Sequence, residues 1–335
     1  VPEHLQSHFL ALRPRLFNSD AFWDYWQQMA LPASYEQSVI LHETRFTPYF
    51  AAKGYIWDTY INTDDLCGVF VNPIMACPAE LLQKRDCPFF KRRSLFTPYA
   101  DELRRTDGCA AGELYRYVKA HTEFPVDLLL ASLLQTQPMA ALAKNLHWNY
   151  VIAEPAAEVP DLAALGLRLL RYTLPAADPV TDWYNKKASA DADALLGRAA
   201  QLFEKKPLLG VLSPALPLWQ GCAAARRTQW QRDAWTLAEK AAVPVGSDPL
   251  PAPNCGWLLV REASFLDGIP PCTTQCDAWQ LALTAQAAGY YAAAFETAAQ
   301  AAARADVLDV YEADAARPAA VAKHLGRLIK HKLQK

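Results

Sequence analysis

GWLLVREASF (residues 256–265) decides how the rest of the chain is read. Trp257, Leu258, Leu259 and Val260 form a short apolar run between Gly256 and Arg261, the length of a buried strand, and Phe265 follows in a turn. Upstream, LLGVLSP (208–214) is a second apolar strand, and WQRDAWTLAEKAA (230–242) is a helix between the two. A further helix is expected around 191–204. Downstream come a helix at 277–288 and a last strand near Tyr290. Strands alternating with helices over short loops predict an α/β sheet.

The same pattern recurs near the start. HFLALRPRLF (8–17) aligns with GWLLVREASF, setting Phe9 on Trp257, Leu10 on Leu258, Arg13 on Arg261 and Phe17 on Phe265. AAKGY (51–55) echoes QAAGY (286–290). Each copy reads as strand, Phe-bearing turn, helix and Gly-Tyr strand, which predicts two related halves. In the first, Asn18-Ser19-Asp20 caps the helix AFWDYWQQM. YEQSVILHETRFTPYFAAKG (35–54) is helical, broken at Pro48 and stopped by Gly54, and GYIWDTYI (54–61) is a strand. Helices follow in GELYRYVKAHT, VDLLLASLLQT and MAALAKNLHWNYV. Pro and Ala crowd 156–190, which reads as a linker holding one helix, DLAALGLRLLRY (161–172). The expected organisation is a first region at 1–155, the linker, and a second region at 191–335.

Composition excludes several classes. With 335 residues, 52% apolar and 20% charged, the chain buries a core of roughly two domains and is not disordered. A net charge of -2 argues against coating nucleic acid. No apolar run reaches the ~20 residues of a membrane span. The opening VPEHLQSHF has neither Met nor a basic-then-apolar leader, and reads as a piece of a longer protein. The eight cysteines are scattered; Cys272 and Cys276 form C-x3-C without a second pair at zinc spacing, so reduced thiols are expected and no structural metal.

HLQSHFLALRPRLFNSDAFWDYW (4–26), CPFFKRRSLF (87–96), FPVDLLLASLL (124–134) and KNLHWNYV (144–151), in this order, resemble the rhamnan synthesis protein F family. LLGVLSPALP, AWTLAEKAAVPV, NCGWLLVREASF and AAGYY are similar to the C-terminal part of the same family. The resemblance implies a bacterial glycosyltransferase of cell-surface polysaccharide assembly. It would move a sugar such as rhamnose from a nucleotide sugar (dTDP-rhamnose-like) to a lipid-linked glycan. It also implies two partial GT-A-like three-layer regions, with mixed sheets and flanking helices. The donor-binding half, with its Asp-rich metal motif, would lie upstream of Val1, so any Mg2+ or Mn2+ would be bound outside this chain. The alternative is a non-catalytic module that binds glycan or docks the assembly machinery. The expected location is cytoplasmic.

Inverting sugar transfer needs a carboxylate base at the acceptor hydroxyl and positive charge at the leaving diphosphate. Glu43, Asp58, Asp64 and Asp65 are the candidate carboxylates, and the resemblance places a recurring glutamate at Glu43 in HETRFT. Between His42 and Arg45 it also reads as a surface helix charge. Asp64 and Asp65 are adjacent, and on an extended segment they point to opposite faces, a poor pair for one metal. Lys91, Arg92 and Arg93 follow an apolar pair, Phe89-Phe90. In an extended segment Lys91 and Arg93 share a face and Arg92 takes the other, so one face anchors the loop while the other offers charge to phosphate. A solvated loop is the plainer reading. His147 and Asn149 are candidate sugar-hydroxyl ligands and Trp148 a stacking ring, against a capping His and a core Trp. Gln6 and Ser7 either line an acceptor cleft or satisfy a sheet edge; His4 and His8 beside them are not at metal-ligand geometry on a strand. Arg226 and Arg227 read as surface. AAVAKHLGRLIKHKLQK at the C-terminus is a basic amphipathic helix suited to peripheral contact with the inner membrane face, or an ordinary terminal helix.

Overall fold

The computed structural model describes residues 3–66, 72–97, 109–152, 158–174, 194–215, 220–251 and 256–302. The C-terminal basic helix, most of the expected linker, and Cys67 and Cys255 lie outside the described residues. The chain divides into two compact units, residues 1–71 with 84–87 and residues 72–83 with 88–335. No helix among the described residues is long and apolar enough to cross a membrane.

The smaller unit is helical. Pro14 opens α1 (Pro14–Phe17), where its missing N–H costs nothing and its fixed φ suits the first turn. Ser19 caps α2 (Asp20–Gln27), its hydroxyl accepting from the Phe22 N–H at 3.3 Å. Then come α3 (Tyr35–Ser38), a π-helical turn at Val39–Glu43, and α4 (Thr44–Ala51). Phe22, Phe46 and Phe50 are buried together, with Leu10, Leu12, Leu16, Tyr25, Tyr49 and Tyr55 packed around them. The Phe46 and Phe50 rings meet edge-on at 4.8 Å. Two expectations are corrected. Residues 8–17 and 54–61 form no strand here; a strand is defined by its ladder, and neither segment has a ladder partner among the described residues. Pro48 does not break the helix but sits inside α4. It withdraws the N–H meant for Thr44 and crowds that carbonyl. The irregular turn ends at Glu43, immediately before Thr44.

The larger unit is α/β. Helices α5 (Pro73–Ala76) and α6 (Pro78–Lys84) are followed by α7 (Ala110–His121), α8 (Val126–Thr136) and α9 (Met139–Leu146). The remaining order is β1 (Asn149–Ile152), β2 (Leu167–Arg171), α10 (Leu196–Lys205), β3 (Leu209–Pro214), α11 (Gln220–Lys240), β4 (Trp257–Arg261), α12 (Gln275–Ala287) and β5 (Tyr291–Thr297). The strands make one sheet, ordered β1-β5-β3-β4-β2. β5 runs parallel to β1 and β3; β4 is antiparallel to β3 and β2. Central β3 and β5 are buried along their whole length, as LGVLSP and YAAAFET demand of strands covered on both faces. Edge strand β2 exposes Arg168 and Arg171, charges that discourage further pairing.

The expectation of a separate sheet in each region is therefore corrected: the described residues hold one five-stranded mixed sheet with flanking helices, to which β1 and the later strands contribute jointly. DLAALGLRLLRY is likewise not a helix. Gly166 turns the chain at φ 65, and Leu167–Arg171 pairs residue by residue with β4, since five apolar or amphipathic residues gain more from a ladder than from one and a half helical turns.

The aligned copies do share local backbone. Arg13 and Arg261 are both extended and each opens a single helical turn. Gly54 and Gly289 both take positive φ, 80 and 84, after a helix. In each, the Gly N–H bonds the carbonyl three residues back and the Tyr N–H the carbonyl five back.

α12 packs closely on β3. A Cβ on Gly210 would lie 2.7 Å from the Tyr290 Cβ and 3.3 Å from the Ala285 Cβ. Gly210→Ala is expected to cost about 1–3 kcal/mol, measured by urea unfolding; an unchanged midpoint would show that α12 moves away freely.

Candidate functional site

The π-helical turn delivers Glu43 to the N-terminal segment of the chain. Widened turns of this kind insert a residue into the helical register and recur at functional sites. Leu5 N–H donates to the Thr47 hydroxyl at 2.9 Å, laying the segment along α4. Ser7 then donates twice to Glu43 Oε2, from its backbone N–H at 3.1 Å and from its hydroxyl at 2.5 Å. His4 Nε2 stands 3.8 Å from Oε1. The His4 and Glu43 side chains are 19% and 24% exposed, so the carboxylate is sheltered yet reachable. His42 is directed elsewhere, its Nε2 lying 2.8 Å from the Ala30 carbonyl, and Tyr25 donates to the His42 carbonyl at 3.3 Å. A carboxylate oriented by a hydroxyl and flanked by an imidazole can accept a proton from a bound hydroxyl. Gln6 lies half-buried beside Ser7, and Ser7 itself is in a turn, not on a strand. His4 joins this cluster although its spacing gave it no role; only its proximity to Glu43 reveals it.

Asp58, Asp64 and Asp65 go to local structure. Asp58 accepts from the Thr59 N–H at 2.8 Å. Arg85 clamps both oxygens of Asp65, at 2.7 Å each, which holds that carboxyl below the usual aspartate range. With both oxygens taken, Asp64-Asp65 does not offer a shared metal site. No group of three or more metal-ligating side chains gathers among the described residues.

In the larger unit the cationic run is extended only as far as Lys91, and Arg92–Leu95 is a single 3-10 turn. Lys91 and Arg93 are half-buried and Arg92 is exposed, while Ser94 and Leu95 sink into the core. Phe90 packs edge-on against Phe124 at 5.3 Å. The apolar flank thus anchors the turn and turns Arg92 outward.

His147 ends α9 in the left-handed conformation, φ 54 and ψ 56. Trp148 is 4% exposed and stacks on Tyr291 at 4.1 Å, so its ring serves the core and is closed to a sugar face. Asn149 Nδ2 donates to Glu296 Oε1 at 2.6 Å. Glu296 is 4% exposed, and a carboxylate so deeply placed requires such a donor. Asn149, Ser213 and Glu296 share one face of the sheet: Asn149 opens β1, Ser213 and Glu296 lie near the carboxyl ends of β3 and β5, and Ala294 stands in register between Asn149 and Ser213. Glu296 was not singled out from sequence, although a lone charge in YAAAFET was visible there.

A third cluster lies on α7 and α8. Tyr115 donates to Asp127 Oδ1 at 2.5 Å, and Lys119 to both oxygens at 3.1 and 2.7 Å. Burial alone raises the Asp127 carboxyl, but these donors outweigh it and the carboxyl titrates below the usual aspartate range. A depressed carboxyl stabilises the fold above its unfolded-state value, about 3.9, and loses that contribution as pH falls through the folded value. Thermal stability is therefore expected to decline below about pH 4, and less steeply in Asp127→Asn; identical acid profiles would remove Asp127 from this role.

Residues 1–163 match the family model described as Rhamnan synthesis protein F. No curated protein and no solved structure matches the chain.

Proposed function

Residues 1–163 belong to the rhamnan synthesis protein F family, and from that premise we propose that the chain takes part in sugar transfer, with Glu43 as the base that activates the acceptor. Family membership implies a part in rhamnan polysaccharide synthesis. The finer reading is a GT-A-type glycosyltransferase that moves rhamnose, or a similar sugar, from a dTDP-linked donor to a lipid-linked glycan. The observation that carries it is the Ser7–Glu43–His4 arrangement.

In this scheme the acceptor hydroxyl donates to the Glu43 carboxylate. As the hydroxyl oxygen forms its bond to the anomeric carbon, its proton passes to Glu43. The bond from that carbon to the diphosphate breaks, and its electron pair leaves with the diphosphate. Ser7 orients the carboxylate throughout. On the larger unit, taken by itself, Arg92 is a candidate phosphate contact, with Lys91 and Arg93 beside it in its turn. Gln6 remains a candidate ligand for a sugar hydroxyl beside Glu43; on the larger unit His147 is a separate candidate, and Asn149, held by Glu296, is a weaker one. Mg2+ or Mn2+ would belong with donor-binding residues outside this chain, and no step is assigned to it here. The basic C-terminal sequence would hold the protein at the inner leaflet beside its lipid-linked acceptor.

The natural full-length protein, given dTDP-rhamnose and a lipid-linked oligosaccharide, is expected to lengthen the acceptor by one sugar, read by mass spectrometry. UDP- and GDP-sugars serve as donor controls. Oligosaccharide binding without transfer from any donor would overturn the enzyme reading and leave a glycan-binding module.

A further inference from the structure

We propose that Lys119, Lys206 and Arg116, together with the paired hydroxyls of Tyr150 and Tyr291, form a binding site for a phosphate or diphosphate group on the larger unit. The proposal does not rest on the transfer reading or on Glu43.

Helix α7 carries Tyr115, Arg116 and Lys119, with Tyr115 and Lys119 one turn apart on the same face. Asp127, at the start of α8, is the carboxylate whose charge acts on Lys206 among the described residues, and Tyr115 and Lys119 already bond it. Lys206 follows α10 and leads into β3. Its ammonium lies 5.6 Å from the centre of the Tyr150 ring. Among the described residues it makes no hydrogen bond or ion pair. Instead it feels repulsion from Lys119 and Arg116 and attraction from Asp127. Desolvation first, and then the two like charges, push the Lys206 ammonium below the usual lysine range. Lys119 and Lys206 thus share one carboxylate, Asp127, and Arg116, whose Nε donates to the Gly112 carbonyl at 3.1 Å, adds a third positive charge near Lys206. Such a surplus is costly in a half-buried place until an anion balances it.

The tyrosines add a neutral donor. Tyr150 and Tyr291 hydroxyls lie 3.0 Å apart. One donates to the other, so one O–H proton of the pair has no acceptor among the described residues. Tyr291 is 4% exposed, its ring is fixed by Trp148, and Tyr150 is half-buried, so the spare proton lies in a partly sheltered place whichever hydroxyl holds it. Burial pushes the Tyr150 hydroxyl up to about 12, and burial raises the Tyr291 hydroxyl well above its ordinary value too. Both stay protonated at ordinary pH and remain donors. The Lys206 ammonium, the remaining donors of Lys119 and Arg116, and a phenol suit a group that presents several anionic oxygens at once. Phosphate and diphosphate do so, and Arg116 can take two oxygens together. The group could be carried by a nucleoside diphosphate or by a phospholipid headgroup, and the test separates these sources.

The full chain is titrated calorimetrically with inorganic pyrophosphate and with dTDP, and sedimented with phosphatidylglycerol or phosphatidylcholine vesicles. Lys206→Met and Lys119→Met are compared with Lys206→Arg, which keeps the charge, after circular dichroism has checked each fold. Saturable binding, weakened about tenfold or more by either Met variant and retained by Lys206→Arg, is expected. Pyrophosphate and dTDP binding without vesicle binding assigns a nucleoside diphosphate. Phosphatidylglycerol binding lost in the Met variants assigns a lipid phosphate. Binding that the Met variants leave unchanged, as an anion held at Lys91–Arg93 would give, overturns the proposal, and so does no binding to any of the probes.

Discussion

Glu43→Gln is expected to lower sugar transfer by about 10²–10⁴-fold while leaving the fold intact. The amide oxygen of glutamine can still accept from the Ser7 N–H and hydroxyl, at the positions where Glu43 Oε2 now accepts at 3.1 and 2.5 Å. What glutamine cannot do is take a proton. The loss should therefore fall on kcat and not on KM, and thermal unfolding should barely move. The pH profile gives a second reading. Wild-type activity should fall as acid protonates the carboxylate, and the residual activity of the glutamine variant should not follow that limb. Ser7→Ala removes only one of the two donors and is expected to cost much less than Glu43→Gln. Full activity in Glu43→Gln would reduce the carboxylate to a clamp that holds residues 4–7 along α4.

Trp279→Ala is expected to destabilise the larger unit by about 3–5 kcal/mol. The side chain is fully buried on α12, and its ring meets the ring of Trp230 edge to face at 5.1 Å. The two indoles are not equivalent. Trp230 Nε1 donates to the Gly246 carbonyl at 3.1 Å, whereas Trp279 Nε1 has no acceptor among the described residues. Trp279→Phe removes that unsatisfied donor along with part of the ring, and should cost clearly less than alanine. Trp230→Phe also strips the Gly246 carbonyl of its donor, so at similar burial it should cost more than Trp279→Phe. Urea unfolding of the three variants gives the order. Equal midpoints for the two phenylalanine variants would show that the Gly246 bond contributes nothing net.

Much of the larger unit is readable residue by residue. VDLLLASLLQT matches α8 end to end, and LLGVLSP, GWLLVRE and the stretch near Tyr290 all become strands. These segments combine apolar runs of the right length with clear stops at Gly, Pro or charge. Gly54 and Gly289 announce helix ends because positive φ there is cheap only for glycine. DLAALGLRLLRY shows where such reading fails. Its apolar residues fit a helix and a strand alike, and the choice fell to β4, where Arg168 pairs with Val260, and to Glu262 just after it, which bonds Arg168 from 94 residues further along the chain.

MAALAKNLHWNYV, expected helical throughout, leaves its helix at Leu146 and gives Asn149–Ile152 to the sheet, whereas local chemistry alone determined α7 and α8, the apolar central strands and the cap at Ser19. Each depends on neighbours within a few residues, where periodicity and dihedral preference act. Only tertiary structure decided that residues 8–13 have no ladder, that a single sheet joins β1 to β5, and that Ser7 meets Glu43 across 36 residues. The same holds for Asn149 and Glu296, 147 residues apart, and for the Lys206 ammonium 5.6 Å from the centre of the Tyr150 ring. Pairings of that kind depend on which surfaces remain after the helices have packed. A buried carboxylate or an unbalanced cation acquires its meaning from a partner that no local pattern specifies.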